Sequence, residues 1–135
     1  MVPGAPVHAP RPPLAGPPLE RLARQGDARR HALTKPLTKT KDPVLRGNCD
    51  FSYAGLKTSV RTLLEQQLPP AKRAALSADE LQRELAHVAA SFQRVAVLHL
   101  AERTARALAW AREVEPTLSS IVAAGGVAAT AAAHE

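Results

Sequence analysis

The sequence predicts a helix-rich α/β fold with few short strands, and three observations support this prediction. The 135 residues include 27 alanines but only four aromatic residues, so we expect a thin, helical core. β-Branched and aromatic residues are scarce, which argues against a large all-β fold. A capping-box pattern precedes the longest helical periodicity, while a short apolar run next to a Gly-Gly pair is typical of a buried strand.

The N-terminal third alternates between irregular and helical patterns. Residues 1–13 are rich in proline, and we expect them to be disordered or extended. Pro17 and Pro18 then open a short helical pattern, and Gly26 is a natural stop for it. Residues 27–49 contain two prolines and no clear period, which indicates a loop with room for one short strand.

The middle of the chain predicts a strand followed by a helix. Polar and aromatic residues alternate over residues 50–53, which favours a short strand. Helical spacing resumes after Gly55, and Pro69 and Pro70 end it.

The longest predicted helix begins at Ser77, where Ser77 and Glu80 form the S-x-x-E pattern, and it runs to about Glu113. Residues 95–101 are apolar nearly all round, so we expect other elements to cover them on several sides. Beyond the helix, residues 120–124 predict a buried strand, Gly125 and Gly126 a turn, and residues 127–133 a further helix. The predicted seam of the long helix is Leu81, Leu85, Val88, Phe92 and Val95.

Charge and cysteine content exclude several classes of protein. Residues 1–76 contain 13 Lys and Arg against five Asp and Glu, so this half can attract a phosphate backbone, although a solvated surface is an equally good interpretation. The single Cys49 excludes an intramolecular disulfide framework and a cysteine-built zinc site. No apolar run is long enough for a membrane span, and the N-terminus is not a clear secretory or transit peptide.

The residues alone predict no catalytic or metal site. A strand–Gly-Gly–helix junction can present backbone N–H groups to an anion, although such a pair is more often only a tight turn. The histidines lack metal-ligand spacing, and His99 is predicted to be a core histidine with satisfied nitrogens. Cys49 is expected to be a buried or incidental thiol.

Four ordered segments resemble one family. Residues 49–60, CDFSYAGLKTSV, resemble the D-F-S-[FY]-[ST/A]-G-L-K-T segment of the tRNA N6-adenosine threonylcarbamoyltransferases, the Gcp-like proteins once described as O-sialoglycoprotein endopeptidases. Residues 16–20, GPPLE, resemble the family's G-G-P-x-x-E segment. Residues 88–100 resemble its I-A-x-x-F-Q helix, and residues 122–128 its A-G-G-V segment. Within this family, the chain most resembles the organellar branch of plants and algae.

The resemblance implies a partial actin-like, sugar-kinase-like ATPase fold over residues 14–135. It implies transfer of a threonylcarbamoyl group from threonylcarbamoyl-AMP to N6 of adenosine 37, in tRNAs that read codons starting with A. Carried over by motif, the nucleotide-binding residues are Gly16, Glu20, Gly125, Gly126 and Thr130. Ala15 and Thr130 stand where the family carries a glycine and an asparagine.

The family's metal-binding segments are not among these matches, so the divalent metal of the full-length family is expected to have its ligands elsewhere. The chain resembles a middle-to-late fragment that is inactive by itself. The resemblance further implies tRNA as a partner, is compatible with a homodimer, and points to a mitochondrion or plastid. The alternative is a non-catalytic pseudoenzyme that docks on a full-length homologue.

Overall fold

A computed structural model describes residues 16–126 as five helices joined by irregular segments. They are α1 (Gly16–Ala23), α2 (Pro43–Gly47), α3 (Ala54–Gln67), α4 (Pro70–Ala75) and α5 (Ala78–Val114). With 37 residues, α5 is about 55 Å long and forms the axis on which the other elements lie. No helix in this part of the chain is long and apolar enough to cross a membrane.

The start of α5 confirms the predicted capping box. The Glu80 backbone N–H donates to Ser77 Oγ at 3.3 Å, and the Ser77 N–H donates to Glu80 Oε2 at 2.9 Å. These bonds satisfy donors that the first turn leaves free, and the Ser77 hydrogen bonds lower the pKa of Glu80.

Helix α1 packs on the N-terminal half of α5 through small side chains. Ala23 lies against Ala89 and Ala90 in a buried cluster, flanked by Leu19, Leu22 and Ala28. The chain then passes so close to α5 that a Cβ on Gly26 would lie 2.1 Å from the Ala86 carbonyl oxygen. Gly26 is therefore required for close approach, a stronger constraint than the helix stop predicted from the sequence.

Residues 27–53, which we call the strap, run along α5 and are held mainly by polar contacts. The Asp27 N–H donates to His87 Nδ1 at 2.9 Å, and the His31 N–H donates to Ser91 Oγ at 3.2 Å. Lys35 pairs with Glu102 further along the helix. The strap thus follows α5 from its N-terminal half toward its C-terminal half.

Both predicted strands are wrong for the part of the chain that the structure describes. Residues 50–53 and 120–124 are irregular, because neither segment has a neighbouring strand with which to form a ladder. The structure instead places α2 in the predicted loop, where Asp42 caps the helix by accepting from the Val44 N–H at 2.8 Å. Pro70, predicted only to end α3, is also the first residue of α4.

The predicted burial of residues 95–101 is only partly correct. Val95 and His99 are buried, whereas Leu98 is exposed, because the strap covers one side of the helix. The predicted disorder of residues 1–13 and the predicted helix over residues 127–133 lie outside the described residues.

Candidate nucleotide-binding site

Gly125 and Gly126 form a turn after the irregular segment that follows α5. Gly125 has φ +113°, a left-handed conformation that strongly favours glycine. A Cβ on either glycine would meet no atom within 4 Å, so the turn is open to solvent. Backbone conformation, not lack of space, is what requires glycine at position 125. Thr130 lies outside the described residues.

The other candidate residues lie on α1. Gly16 is its first residue, and Glu20 lies one turn further along. Glu20 Oε1 accepts a hydrogen bond from Arg24 Nη2 at 2.8 Å, and the Glu20 side chain is the more sheltered of the two. The carboxylate is thereby oriented by a neighbouring cation that lies just beyond the end of α1.

These two groups of residues are attached to separate stretches of α5. Helix α1 packs at Ala89 and Ala90, whereas the segment before the glycine turn lies beside Ala107 and Ala111. At 1.5 Å of rise per residue, these stretches are about 25–33 Å apart along the helix axis. The candidate residues therefore lie in two separate groups, which we call the candidate half-sites.

A cavity of about 500 Å³ lies between the C-terminal part of α5, the end of the strap and residues 118–122, which precede the glycine turn. Its walls are mostly apolar, and Thr104 and Ser120 are among the polar exceptions. Cys49, predicted to be a buried or incidental thiol, is a half-buried free thiol in this wall. The lining residues are Cys49, Phe51, Arg103, Thr104, Ala107, Leu108, Ala111, Leu118, Ser120, Ile121 and Val122.

Arg103 is the residue at this cavity that the sequence analysis missed. It is buried, and its Nη1 donates to the backbone carbonyls of Asn48 and, at 3.3 Å, of Arg46. It thus ties the end of the strap to α5. The sequence signal for Arg103 is its position four residues after His99. This spacing puts both side chains on one face of the helix, so Arg103 is expected on the buried face.

The two aromatic residues of segment 49–60 pack against His99. The rings of Phe51 and Tyr53 each meet the buried imidazole edge-on, with centroids 5.6 Å apart. The Tyr53 hydroxyl donates to the Ala96 carbonyl at 3.4 Å, and burial raises the pKa of Tyr53. These contacts hold residues 49–60, the most specific of the four matching segments, against α5.

His99 is a core histidine, as predicted, but the expectation that its nitrogens are satisfied is wrong. Among residues 16–126, neither Nδ1 nor Nε2 has a hydrogen-bond partner. Burial lowers the pKa of His99, and the positive charges of Arg103 and Lys35 lower it further. The rings of Phe51 and Tyr53, which are perpendicular to the imidazole, offer its nitrogens no lone pair.

The strap also carries a row of exposed cations. Arg29, Arg30, Lys39 and Lys41 are exposed, and none forms an ion pair within residues 16–126. In contrast, Lys35 forms an ion pair with Glu102. The exposed cations are thus available to an external anion. No group of three or more His, Cys, Asp or Glu side chains in the same residues is arranged to hold a metal ion.

Comparisons with known proteins agree on one family. A family model described as tRNA N6-adenosine threonylcarbamoyltransferase matches residues 7–135. The Arabidopsis thaliana protein named "Probable tRNA N6-adenosine threonylcarbamoyltransferase, mitochondrial" is 48% identical over 114 residues, which cover 84% of this chain and 22% of that protein.

Two bacterial relatives are named tRNA N6-adenosine threonylcarbamoyltransferase. The Roseobacter denitrificans protein is 38% identical over 90% of this chain and 30% of its own length. The Gluconobacter oxydans protein is 42% identical over 84% of this chain and 27% of its own length. The chain therefore spans less than a third of these three relatives. No solved structure matches it significantly.

Proposed function

Since this chain belongs to the tRNA N6-adenosine threonylcarbamoyltransferase family, we propose that it contributes part of the substrate-binding machinery of that transferase. The reaction moves a threonylcarbamoyl group from threonylcarbamoyl-AMP to N6 of adenosine 37 in tRNAs that read codons starting with A. The observation that carries the proposal is the family match over residues 7–135. The names of the relatives favour this transferase over a non-catalytic docking partner.

Two half-sites of the chain suit the nucleotide portion of threonylcarbamoyl-AMP. The Glu20 carboxylate can accept hydrogen bonds from ribose hydroxyls, and Arg24 orients it at 2.8 Å. The exposed turn at Gly125 and Gly126 lets a ligand approach the backbone closely. Gly16, at the start of α1, and Thr130 complete the proposed set. The two half-sites meet in the two-lobed, actin-like fold that we infer for the complete protein.

The exposed cations of the strap suit the tRNA backbone. Arg29, Arg30, Lys39 and Lys41 have no ion-pair partner in the described part of the chain, so binding phosphates breaks no internal salt bridge. Contacts of this kind position a nucleic acid without reading its bases.

The divalent metal of the family does not fit the described residues, because they offer no cluster of three ligands. We therefore place its ligands outside residues 16–126 and assign this chain no step that involves the metal. The mitochondrial name of the Arabidopsis relative supports an organellar location, with the mitochondrion the first choice.

A chimera tests the transferase proposal. The matching 114-residue stretch of the Arabidopsis relative is replaced by that of this chain, and threonylcarbamoylated adenosine is measured after incubation with tRNA and threonylcarbamoyl-AMP. We expect the chimera to retain activity. Loss of activity in a folded chimera that still binds tRNA would overturn the proposal.

Matched substitutions in the chimera test the nucleotide-binding residues. Glu20→Gln is compared with Glu65→Gln, since each carboxylate pairs at 2.8 Å with an arginine four residues away in the sequence. We expect Glu20→Gln to raise the KM for threonylcarbamoyl-AMP about tenfold, the loss of one charge-assisted hydrogen bond, and Glu65→Gln to leave it unchanged. Equal effects of the two variants would remove Glu20 from the site.

Salt-dependent tRNA binding by the 135-residue chain tests the strap surface. A variant with Arg29, Lys39 and Lys41 changed to Gln is compared with one in which Arg83, Arg94 and Arg112 are changed to Gln. All six side chains are exposed, so the two variants lose the same charge from solvent-facing positions. We expect only the strap variant to flatten the plot of log K against log salt, by roughly one unit per lost phosphate contact. Equal slopes for the two variants would mean that the net charge of the chain, and not the strap surface, determines tRNA binding.

A further inference from the structure

Two neighbouring aromatic residues at the end of the strap expose much of their surface to solvent. Phe51 is 49% exposed and Tyr53 is 41% exposed. Their rings are nearly parallel, with an interplanar angle of 24° and centroids 6.3 Å apart. Aromatic side chains are usually enclosed by other apolar groups, so an exposed pair of this kind is a candidate binding surface.

Helix α5 holds the two rings in place from the other side. Buried His99 meets both rings edge-on, and the Tyr53 hydroxyl donates to the Ala96 carbonyl. Arg103 fixes the backbone just before the pair through the Asn48 carbonyl. The rings are therefore positioned before a ligand arrives, so that binding requires little further ordering of these side chains.

Cations outnumber carboxylates beside the aromatic pair. Arg106 and Arg103 both donate to the Arg46 carbonyl, which places two guanidinium groups next to the end of the strap. Lys35 and Arg106 share one carboxylate, that of Glu102. The Arg46 side chain is exposed and forms no ion pair within residues 16–126. The cations of this group are Lys35, Arg46, Arg103 and Arg106, and its carboxylates are Glu102 and Asp50.

Aromatic rings beside surplus cations suit a single-stranded nucleic acid. An unpaired base can stack on a ring while a cation neutralises the neighbouring phosphate. A base inside a duplex has both faces covered by its neighbours, so the surface favours loops over paired stems. Resting on the transferase function proposed above, we propose that Phe51 and Tyr53 stack on an unpaired base of the tRNA and that Arg46 contacts a phosphate beside it. Both aromatic residues are positioning residues, because they orient the RNA.

Binding of two RNA hairpins tests the stacking. One has the sequence of a tRNA anticodon arm, and the other is identical except that its loop nucleotides lack bases, so that both carry the same phosphates. Fluorescence anisotropy gives the Kd of each for the 135-residue chain. We expect loss of the loop bases to raise the Kd about tenfold, as is typical of one stacked base. Equal Kd values would overturn the proposal.

The two phenylalanines of the chain provide matched variants, Phe51→Leu and Phe92→Leu. Leucine keeps apolar contact with His99 but has no π-face, so we expect Phe51→Leu to bind both hairpins equally, with a Kd about tenfold higher for the intact one. Phe92→Leu, and Phe51→Tyr with its ring retained, should keep the preference for the intact hairpin. A preference that survives Phe51→Leu would contradict stacking. The hairpin comparison itself needs no variant, so it decides the proposal even if Phe51→Leu fails to fold.

Arg46→Gln separates the phosphate contact from the stacking. We expect this variant to reduce the slope of log K against log salt by about one unit and to keep the preference for the intact hairpin. An unchanged slope would remove Arg46 from the proposed surface.

The chimera distinguishes RNA from the other occupant of the aromatic surface, the rest of the protein. We expect Phe51→Leu in the chimera to raise the KM for tRNA about tenfold and to leave the KM for threonylcarbamoyl-AMP unchanged. A lower melting temperature with an unchanged KM for tRNA would assign the rings to a contact within the protein and overturn the proposal. In that case the unsubstituted chimera stays active, whereas failure of the transferase function abolishes its activity before any change at Phe51.

Discussion

The two ends of α5 meet different surroundings. From Ala86 to Arg103, one side of the helix is buried under α1 and the strap, and Ala86, Ser91 and His99 are fully buried. Beyond Arg103, Trp110 is 65% exposed and Val114 is 74% exposed. The covered half packs against α1 and the strap. The open half shows that a helix can form with large apolar side chains exposed to solvent.

The largest effect on this contrast is expected at the closest contact of the covered half. Gly26→Ala would place a Cβ 2.1 Å from the Ala86 carbonyl oxygen, which forces backbone to move. We expect the free energy of unfolding to fall by about 3 kcal/mol, the upper end of overpacking costs. Urea unfolding followed by circular dichroism measures this change. Gly47→Ala is the control, because a Cβ there meets open space, and a fall as large in this variant would contradict the steric explanation.

A second, smaller effect is expected where the covered half ends. Arg103→Met removes the donors to the Asn48 and Arg46 carbonyls, and we expect a loss of about 2 kcal/mol, typical of hydrogen bonds to a charged group. Hydrogen exchange should show faster exchange in residues 46–53 than in residues 27–35. Arg112→Met, at an exposed position of the open half, serves as the comparison. Uniformly faster exchange along the whole strap would mean that Arg103 is not a local tie.

Acidification should weaken the covered half selectively. Burial is the main cause that lowers the pKa of both His99 and His31 below 6.5. Because the unfolded chain then binds protons more readily than the folded one, this contribution to stability is complete above about pH 6.5 and is lost as the pH falls below it. We expect the urea midpoint to decrease between about pH 7.5 and pH 5.5. His99→Phe should reduce this pH dependence, and an unchanged slope in that variant would exclude His99 as a source.

The smallest effect is expected in the open half. Trp110→Ser changes an exposed side chain, so the free energy of unfolding should change by less than about 0.5 kcal/mol. Thermal unfolding of this variant beside Gly26→Ala would measure the contrast between the two halves directly. A destabilisation by Trp110→Ser comparable to that by Gly26→Ala would show that the open half is covered in solution.

Local signals in the sequence predicted α1, α3 and α5, whereas α2 and α4 were missed. The dependence of strands on non-local contacts explains the two wrong strand predictions. The Ser77–Glu80 box and the prolines after α3 act within a few residues, so they predicted the start of α5 and the end of α3. Asp42 followed by Pro43 is also a local signal, a cap before a first-turn proline, and it could have predicted α2. The segment at residues 120–124 has a strand-like pattern, but within residues 16–126 no strand lies beside it to pair with.

The same distinction between local and non-local signals applies to the candidate site. The positive φ of Gly125 fits a glycine pair that the sequence singled out. The spacing from His99 could have placed Arg103 on the buried face of α5. Its acceptors, carbonyls 55 and 57 residues earlier, could not be predicted, because backbone acceptors have no signature in the sequence. The unsatisfied nitrogens of His99 were equally hidden, since they depend on two aromatic rings brought from the strap.

The contacts of the strap have a consequence for synthesis on the ribosome. Asp27 and His31 bind residues 60 positions later, and Lys35 binds a residue 67 positions later. The strap is translated before α5, and its cations remain in solvent until α5 leaves the exit tunnel. Local helix formation takes about a microsecond, far less than the addition of one residue at 5–20 residues per second. The turns of α5 around His87 and Ser91 can therefore bind the start of the strap before Glu102, the partner of Lys35, emerges, so that the pace of translation sets the pace of assembly.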